Sequence, residues 1–196
     1  MLFDKITLNM EDEIKRCIEV LNKGGIILYP TDTIWGIGCD ATNRDAVKKV
    51  YELKQREDNK AMLILLDSAN NLDRYVRDVP EIAYDLIDVA VKPLTIIYDN
   101  GYNLAENLLG ENHSVGIRIT NEAFSQALCR KFRRPIVSTS ANISGQPSAV
   151  IFKEISPEII NGVDYVVNYR RGDNNKHNAS SIIKLGADAS IQIIRK

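Results

Sequence analysis

Histidine, cysteine and tryptophan are scarce in this chain of 196 residues, at two, three and one copies. His113 and His177 stand in polar stretches with no partner at ligand or triad spacing, so a histidine-based nucleophile or a metal site is not expected. Cys17, Cys39 and Cys129 show no CxxC spacing and cannot all pair, which leaves free, buried thiols in a reducing compartment as the expectation. No apolar run approaches membrane-spanning length, and the N-terminal Met-Leu-Phe-Asp-Lys has no apolar signal core. A soluble, cytoplasmic protein without a membrane partner is expected. No GxxxxGKS/T loop is present. Gly36-Ile-Gly-Cys-Asp-Ala41 spells GxGxxA, but a polar turn separates it from the strand before it, which argues against dinucleotide binding. A formal charge of −1 argues against a strongly basic nucleic-acid binder and leaves room for a local basic cleft.

What remains is an ordinary globular composition, 44% hydrophobic and 26% charged, with no low-complexity tract, repeat or linker. One domain over residues 1–196 is expected, long enough for a sizeable core. Residues 3–8 read as a short edge strand. Asn9 reads as a helix cap, followed by Ile14, Cys17, Ile18 and Leu21 at helical spacing up to Gly24. Ile26 to Tyr29 is apolar on both faces, as in a covered sheet. Thr42-Asn-Arg-Asp45 resembles a capping box, with Ala46, Val47, Val50 and Leu53 as the buried stripe behind it. Further strands are predicted over 61–66, 93–99, 115–119, 135–139, 164–168, 180–185 and 191–195. Helices are predicted over 67–90, divided near Pro80, and over 121–132. Strands alternate with helices early and cluster late, so the fold class is α/β, a mixed twisted sheet with helices packed against it.

Four polar clusters interrupt this pattern. Thr31-Asp32-Thr33 follows the break at Pro30, as a plain turn or as a crevice wall at a strand's carboxyl end. Lys54, Arg56 and Lys60 gather near a helix end; residues two apart on a helix diverge, so Lys54 and Arg56 converge only if the helix stops between them. Such cations suit a triphosphate, or equally the helix dipole. Ser138 and Ser140 share one side of a strand that runs into Asn142 and Ser144, well placed to hold phosphate or carboxylate oxygens. Arg118 shares a strand face with Ser114 and Gly116, where it would serve as a carboxylate clamp or as a structural salt bridge.

Together, Tyr-Pro-Thr-Asp-Thr-Ile-Trp-Gly-Ile-Gly from Tyr29, Lys54-x-Arg56, Val-Gly-Ile-Arg118 and Ser138-Thr-Ser-Ala-Asn-Ile-Ser-Gly resemble the YrdC/TsaC family, the threonylcarbamoyl-AMP synthases. The resemblance runs from about Asn9 to Ile183. It implies a YrdC-like twisted sheet with a concave, positively charged surface. It also implies a nucleotidyltransferase reaction in which L-threonine, bicarbonate or carbon dioxide, and ATP give threonylcarbamoyl-AMP and pyrophosphate. The product would serve threonylcarbamoyladenosine modification of tRNA beside the anticodon, through a downstream transferase complex. On this resemblance Lys54, Arg56, Ser140 and Asn142 form the nucleotide-binding and catalytic tetrad. Lys60, Ser114 and Ser148 match further ATP contacts, and Thr33, Arg118, Ser138 and Ser180 surround the threonine. Mg²⁺ is expected with the ATP, without a protein metal cluster. Ala90-Val-Lys-Pro-Leu-Thr95 stands where many relatives have Trp-Pro-Gly-Pro-Leu-Thr, Glu57 replaces a common proline, and Ser181 a common threonine. The chain resembles the short, single-domain form.

Two other readings share these residues. One is a non-catalytic paralogue; the retention of Lys54-x-Arg56 and Ser140-x-Asn142 favours the enzyme. The other is an RNA-binding or ribosome-assembly factor, for tRNA or double-stranded RNA, whose phosphate contacts could come from Lys54, Arg56, Lys60, Arg130, Lys131, Arg133, Arg134, Arg170 and Arg171. The near-neutral total and the want of an aromatic stacking platform keep it second.

Overall fold

The computed structural model describes residues 2–56, 62–175, 178–186, 188 and 190–196. Its strands are β1 (Ile27–Tyr29), β2 (Gly36–Gly38), β3 (Leu63–Leu66), β4 (Leu94–Tyr98), β5 (Val115–Ile119), β6 (Ile136–Ser140), β7 (Tyr165–Val166), β8 (Ser181–Leu185) and β9 (Ile191–Arg195). They form one mixed sheet in the order β7-β1-β2-β6-β3-β5-β4-β8-β9. The helices are α1 (Leu2–Asn22), α2 (Arg44–Lys54), α3 (Ile82–Asp88), α4 (Ala123–Phe132) and α5 (Pro157–Gly162).

The period of two along each strand sorts the core into two layers. Ile27 and Tyr29 of β1, Leu65 of β3 and Ile136 of β6 pack with Ile14, Cys17 and Leu21 of α1 and Phe124, Leu128 and Phe132 of α4. Their neighbours Leu28, Ile37, Ile64 and Val137 face the other way, toward Ala46, Val47 and Val50 of α2. Each such fully buried aliphatic side chain is worth about 1.5–3 kcal/mol. The strand from Ile26 is thus covered on both faces, as its composition predicted.

Several expectations are corrected. Residues 3–8 form no edge strand but the first turns of α1. Adding a residue to an existing helix brings one hydrogen bond without a new nucleus, whereas a separate strand needs an open sheet edge to pair with. Asn9 therefore lies inside a helix. The cap of α2 is Asn43, one residue past Thr42, and its side chain accepts from the Asp45 and Ala46 amides. Residues 67–90 hold a 3-10 turn (Ala69–Arg74) and the short α3 rather than two full helices. Gly36 and Gly38, in the sequence only part of a letter match to GxGxxA, are β2, paired with β1 and β6. A Cβ on Gly38 would stand 2.6 Å from Tyr29 Cε1 and 2.8 Å from the Val137 carbonyl oxygen, so close packing explains that glycine. Gly24, at φ +70°, closes α1 as predicted.

The helices α1 and α4 cover only part of their face of the sheet. Where they lie, the inward residues are apolar, such as Ile136 and Leu65. Farther along the same alternation come Ser138 and Ser140 on β6, Gly116 and Arg118 on β5, and Thr95 on β4. The change from apolar to hydroxyl, glycine and arginine marks the uncovered part of the face.

Candidate functional site

That uncovered area is an open cleft of about 330 Å³. Thr33, Arg56, Ser114, Arg118, Ser138, Ser140, Ser148 and Ser180 all line it. Register brings the strand residues together: Leu63 pairs with both Ser138 and Gly116, Leu65 and Thr95 with Arg118, and Gly36 with Ser140. Among the described residues that line it there is no carboxylate, while Arg56, Arg118 and Arg195 are present.

One wall is buried. Thr31 shapes the turn after Pro30: its Oγ1 donates to the Ile34 carbonyl at 2.7 Å and accepts from the Thr33 amide at 3.1 Å. This presents Thr33 Oγ1 to Arg118 Nη2 at 3.3 Å. The same Nη2 lies 2.9 Å from Asp32 Oδ1. The pair meets ion-pair distance but not hydrogen-bond geometry, for Asp32 Oδ1 and Arg118 Nε are both buried without a hydrogen-bond partner. Arg118 is only 3% exposed, so its guanidinium keeps donor capacity in a low-dielectric setting. Burial pushes the Asp32 carboxyl up, against the pull of Arg118. Across the cleft, Ser180 Oγ and Thr95 Oγ1 share a hydrogen bond of 2.8 Å, and Arg195 Nε donates to the Ser180 carbonyl at 2.9 Å.

The other wall is half-exposed. Helix α2 does stop at Lys54, because Gln55 takes a left-handed conformation at φ +50°. Lys54 and Arg56 nevertheless part company. Arg56 lines the cleft, while Lys54 is 1% exposed and its Nζ donates to the Ser140 and Asn142 carbonyls at 2.5 and 2.6 Å. Its own carbonyl accepts from the Ser144 amide at 2.8 Å. Lys54 therefore pins the end of β6 and the loop behind it. Burial, aided by nearby Arg56, lowers its ammonium to about 8. The Asn142 side chain also holds the loop, donating to the Ile143 and Gln146 carbonyls at 2.9 and 2.8 Å, with Ser148 Oγ 3.5 Å from its Oδ1. Neither Lys54 nor Asn142 lines the cleft. Lys60 falls outside the described residues, as does His177.

Thr95, Arg195, Trp35 and Met62 line the cleft without having been singled out for it. Thr95 carried a usable signal, a lone hydroxyl in the apolar run Leu94 to Tyr98. Arg195 carried none, since its approach to Ser180 depends on the β8–β9 pairing. Among the described residues no group of three His, Cys, Asp or Glu could hold a metal. No helix among them is long and apolar enough to cross a membrane.

Comparison with known proteins agrees with this architecture. The sequence model of the Sua5/YciO/YrdC family, described as telomere recombination, matches residues 19–196. A protein of Pseudoalteromonas translucida named threonylcarbamoyl-AMP synthase is 31% identical, over 84% of this chain and 89% of its own. One of that name from Vibrio cholerae is 30% identical, over 94% of this chain and 97% of its own. Among solved structures, Sua5 of P. abyssi in complex with L-threonine superposes with a TM-score of 0.79 at 24% identity, covering 88% of this chain. The matched region is 50% of that longer chain.

Proposed function

The chain belongs to the Sua5/YciO/YrdC family, and from that premise we propose that it is a threonylcarbamoyl-AMP synthase acting as a single YrdC-like domain in the cytoplasm. L-Threonine, bicarbonate or carbon dioxide, and ATP are its substrates. Threonylcarbamoyl-AMP and pyrophosphate are its products, the former passed to a tRNA-modifying transferase complex. The observation that carries this reading is the cleft itself: a buried arginine beside Thr33 faces a hydroxyl-lined floor, and Arg56 with Ser140 and Ser148 forms the other side.

In this reading Arg118 holds the threonine carboxylate, using guanidinium donors that Asp32 and Thr33 leave unmet. Ser138, and Ser180 with its partner Thr95, bound the amine and side chain. Arg56, Ser140, Ser114 and Ser148 take the nucleotide, with Lys60 as a further phosphate contact. Lys54 and Asn142 act through position, holding the end of β6, where Ser140 sits, and the loop behind it. No protein nucleophile is required if the carbamate of threonine attacks the α-phosphate. Threonine nitrogen first bonds to carbon dioxide with loss of a proton; a carbamate oxygen then bonds to phosphorus as pyrophosphate leaves. The protein supplies positioning and charge stabilisation. Among the described residues the cleft offers no carboxylate set for Mg²⁺, so the ion is assigned to the nucleotide as its counter-ion.

The test is pyrophosphate release from ATP, Mg²⁺ and bicarbonate, measured with and without L-threonine. Threonine-dependent release supports the synthase. Absence of release, or release indifferent to threonine, returns the chain to the non-catalytic reading.

A further inference from the structure

The sheet ends differently at its two edges. Strand β7 is two residues long, too short to template another strand. At the other edge β9 runs for five residues, Ile191–Arg195, and among the described residues no strand lies beyond it. Open edges in native proteins are commonly blunted by proline or by charge. Strand β9 has no proline, and its one charged residue, Arg195, turns back onto the Ser180 carbonyl.

Isoleucine stands there instead. Ile191, Ile193 and Ile194 are 47, 59 and 50% exposed, three of the five large apolar side chains exposed among the described residues. The other two, Val89 and Val91, precede β4, which is two strands from β9 in the sheet. Apolar exposure is thus gathered at one end of the sheet, the pattern of an interaction surface rather than of scattered single residues. Ile191 pairs with Leu185 of β8 and Ile193 with Ile183. Leu185 is buried in the core and Ile183 packs against it, so Ile191 and Ile193 extend a core row past its cover. Gln192 points to the other face, opposite Lys184, whose Nζ is held by Asp99 at 3.1 Å. The Gln192 amide has no side-chain partner among the described residues. Pairing with β8 is regular over Ile191 to Ile193 and shifts only beyond them.

We propose that β9 joins two copies of this chain, edge to edge and antiparallel, about a two-fold axis through Gln192. That register is self-complementary, as an isologous contact must be. It sets Ile191 of each copy against Ile193 of the other on one face. On the opposite face it brings together two Gln192 amides, each both donor and acceptor. It also places Lys196 across from Asp188 of the second copy, opposite charges that are both exposed in the single chain. A strand from an unrelated protein has no reason to meet all three conditions, and a second copy meets them by symmetry. A five-residue edge buries little area, so the dimer is weak and depends on concentration. Pairing also tethers the strand that carries Arg195 to the cleft. Nothing in this contact depends on the synthase reading.

Sedimentation velocity over a micromolar concentration series tests it. The mean mass of the wild type rises with concentration from one chain toward two. The Ile191→Lys/Ile193→Lys variant sets lysines of both copies against one another and associates at least about tenfold more weakly. Both side chains are exposed, so its melting curve stays that of the wild type. The axis is tested by charge exchange at one position. Gln192→Glu and Gln192→Lys each repel their own copy and associate about tenfold more weakly, while an equimolar mixture of the two recovers wild-type association or better. A Lys15→Gln/Lys48→Gln control, changed at exposed sites elsewhere, associates like the wild type. Amide hydrogen exchange slows with concentration in β9 and not in β7. A wild type that stays single throughout, a dimer that survives the isoleucine changes, or a mixture that fails to restore association would overturn the two-fold pairing.

Discussion

The two walls of the cleft are built on different plans. The wall proposed for the amino acid is buried: Thr33, Thr95, Arg118, Ser138 and Ser180 are each 6% exposed or less. Four of those five residues lie on or beside the ends of central strands, and Thr33 is set by the Thr31 hydrogen bonds. The wall proposed for the nucleotide is carried by loops and the end of β6, with Arg56 and Ser140 half-buried and Ser148 exposed. Its order comes from behind, through Lys54 and Asn142. A small zwitterion needs a preformed, desolvated recess in which each polar contact discriminates. A triphosphate gains from several cations in partial contact with water, and its site tolerates looser geometry.

This contrast ranks the effects of mutation. Arg118→Ala is expected to be the most damaging. It removes the carboxylate clamp and strands Asp32 as a buried, unpaired acid, lowering kcat/KM for threonine about a thousandfold and stability by about 3 kcal/mol. Steady-state pyrophosphate release and denaturant unfolding measure both, and an unchanged KM for threonine would refute the clamp.

Lys54→Met is expected to come next, lowering kcat/KM for ATP about a hundredfold while leaving the threonine KM in place, because only the β6 loop is released. It also carries a pH signature. The folded ammonium loses its proton near 8, from an ordinary value of 10.5, so between these limits the unfolded chain binds more protons. The unfolding free energy of the wild type, relative to Lys54→Met, therefore rises with pH across that interval, by up to about 3 kcal/mol. Subtracting the variant removes the opposing contribution of the buried cysteines, whose thiols burial pushes up. A flat difference would mean that Lys54 is not a buried cation.

Arg56→Gln is a smaller perturbation on a wetter wall. It should raise the ATP KM about tenfold with no change for threonine. Thr95→Val is smaller again: loss of the 2.8 Å bond to Ser180 should weaken threonine use about three- to fivefold and spare ATP, as read by parallel KM determinations.

Much of this contrast was legible before the fold was known. Alternation on Val115 to Ile119 put Arg118 and Gly116 on one face, and Ser138 and Ser140 followed from the same rule on β6. Requiring the helix to end between Lys54 and Arg56 was correct, since Gln55 is the left-handed stop. What sequence could not supply is direction. The period of a helix does not reveal that Lys54 turns inward onto two carbonyls while Arg56 turns to the cleft, because those carbonyls belong to a strand end more than eighty residues away. The glycines of β2 could not be read for a related reason. Glycine signals flexibility or close packing with the same letter, and only the approach of Tyr29 and Val137 distinguishes them.

The central claim is that a buried guanidinium reads the carboxylate of the amino acid. Isothermal titration of L-threonine and of its methyl ester into the wild type and Arg118→Ala tests this without relying on turnover. The expected result is that the wild type binds threonine and discriminates against the ester by at least about a hundredfold, while Arg118→Ala binds both equally poorly. Equal binding of acid and ester by the wild type, or full retention of threonine affinity in Arg118→Ala, would contradict it.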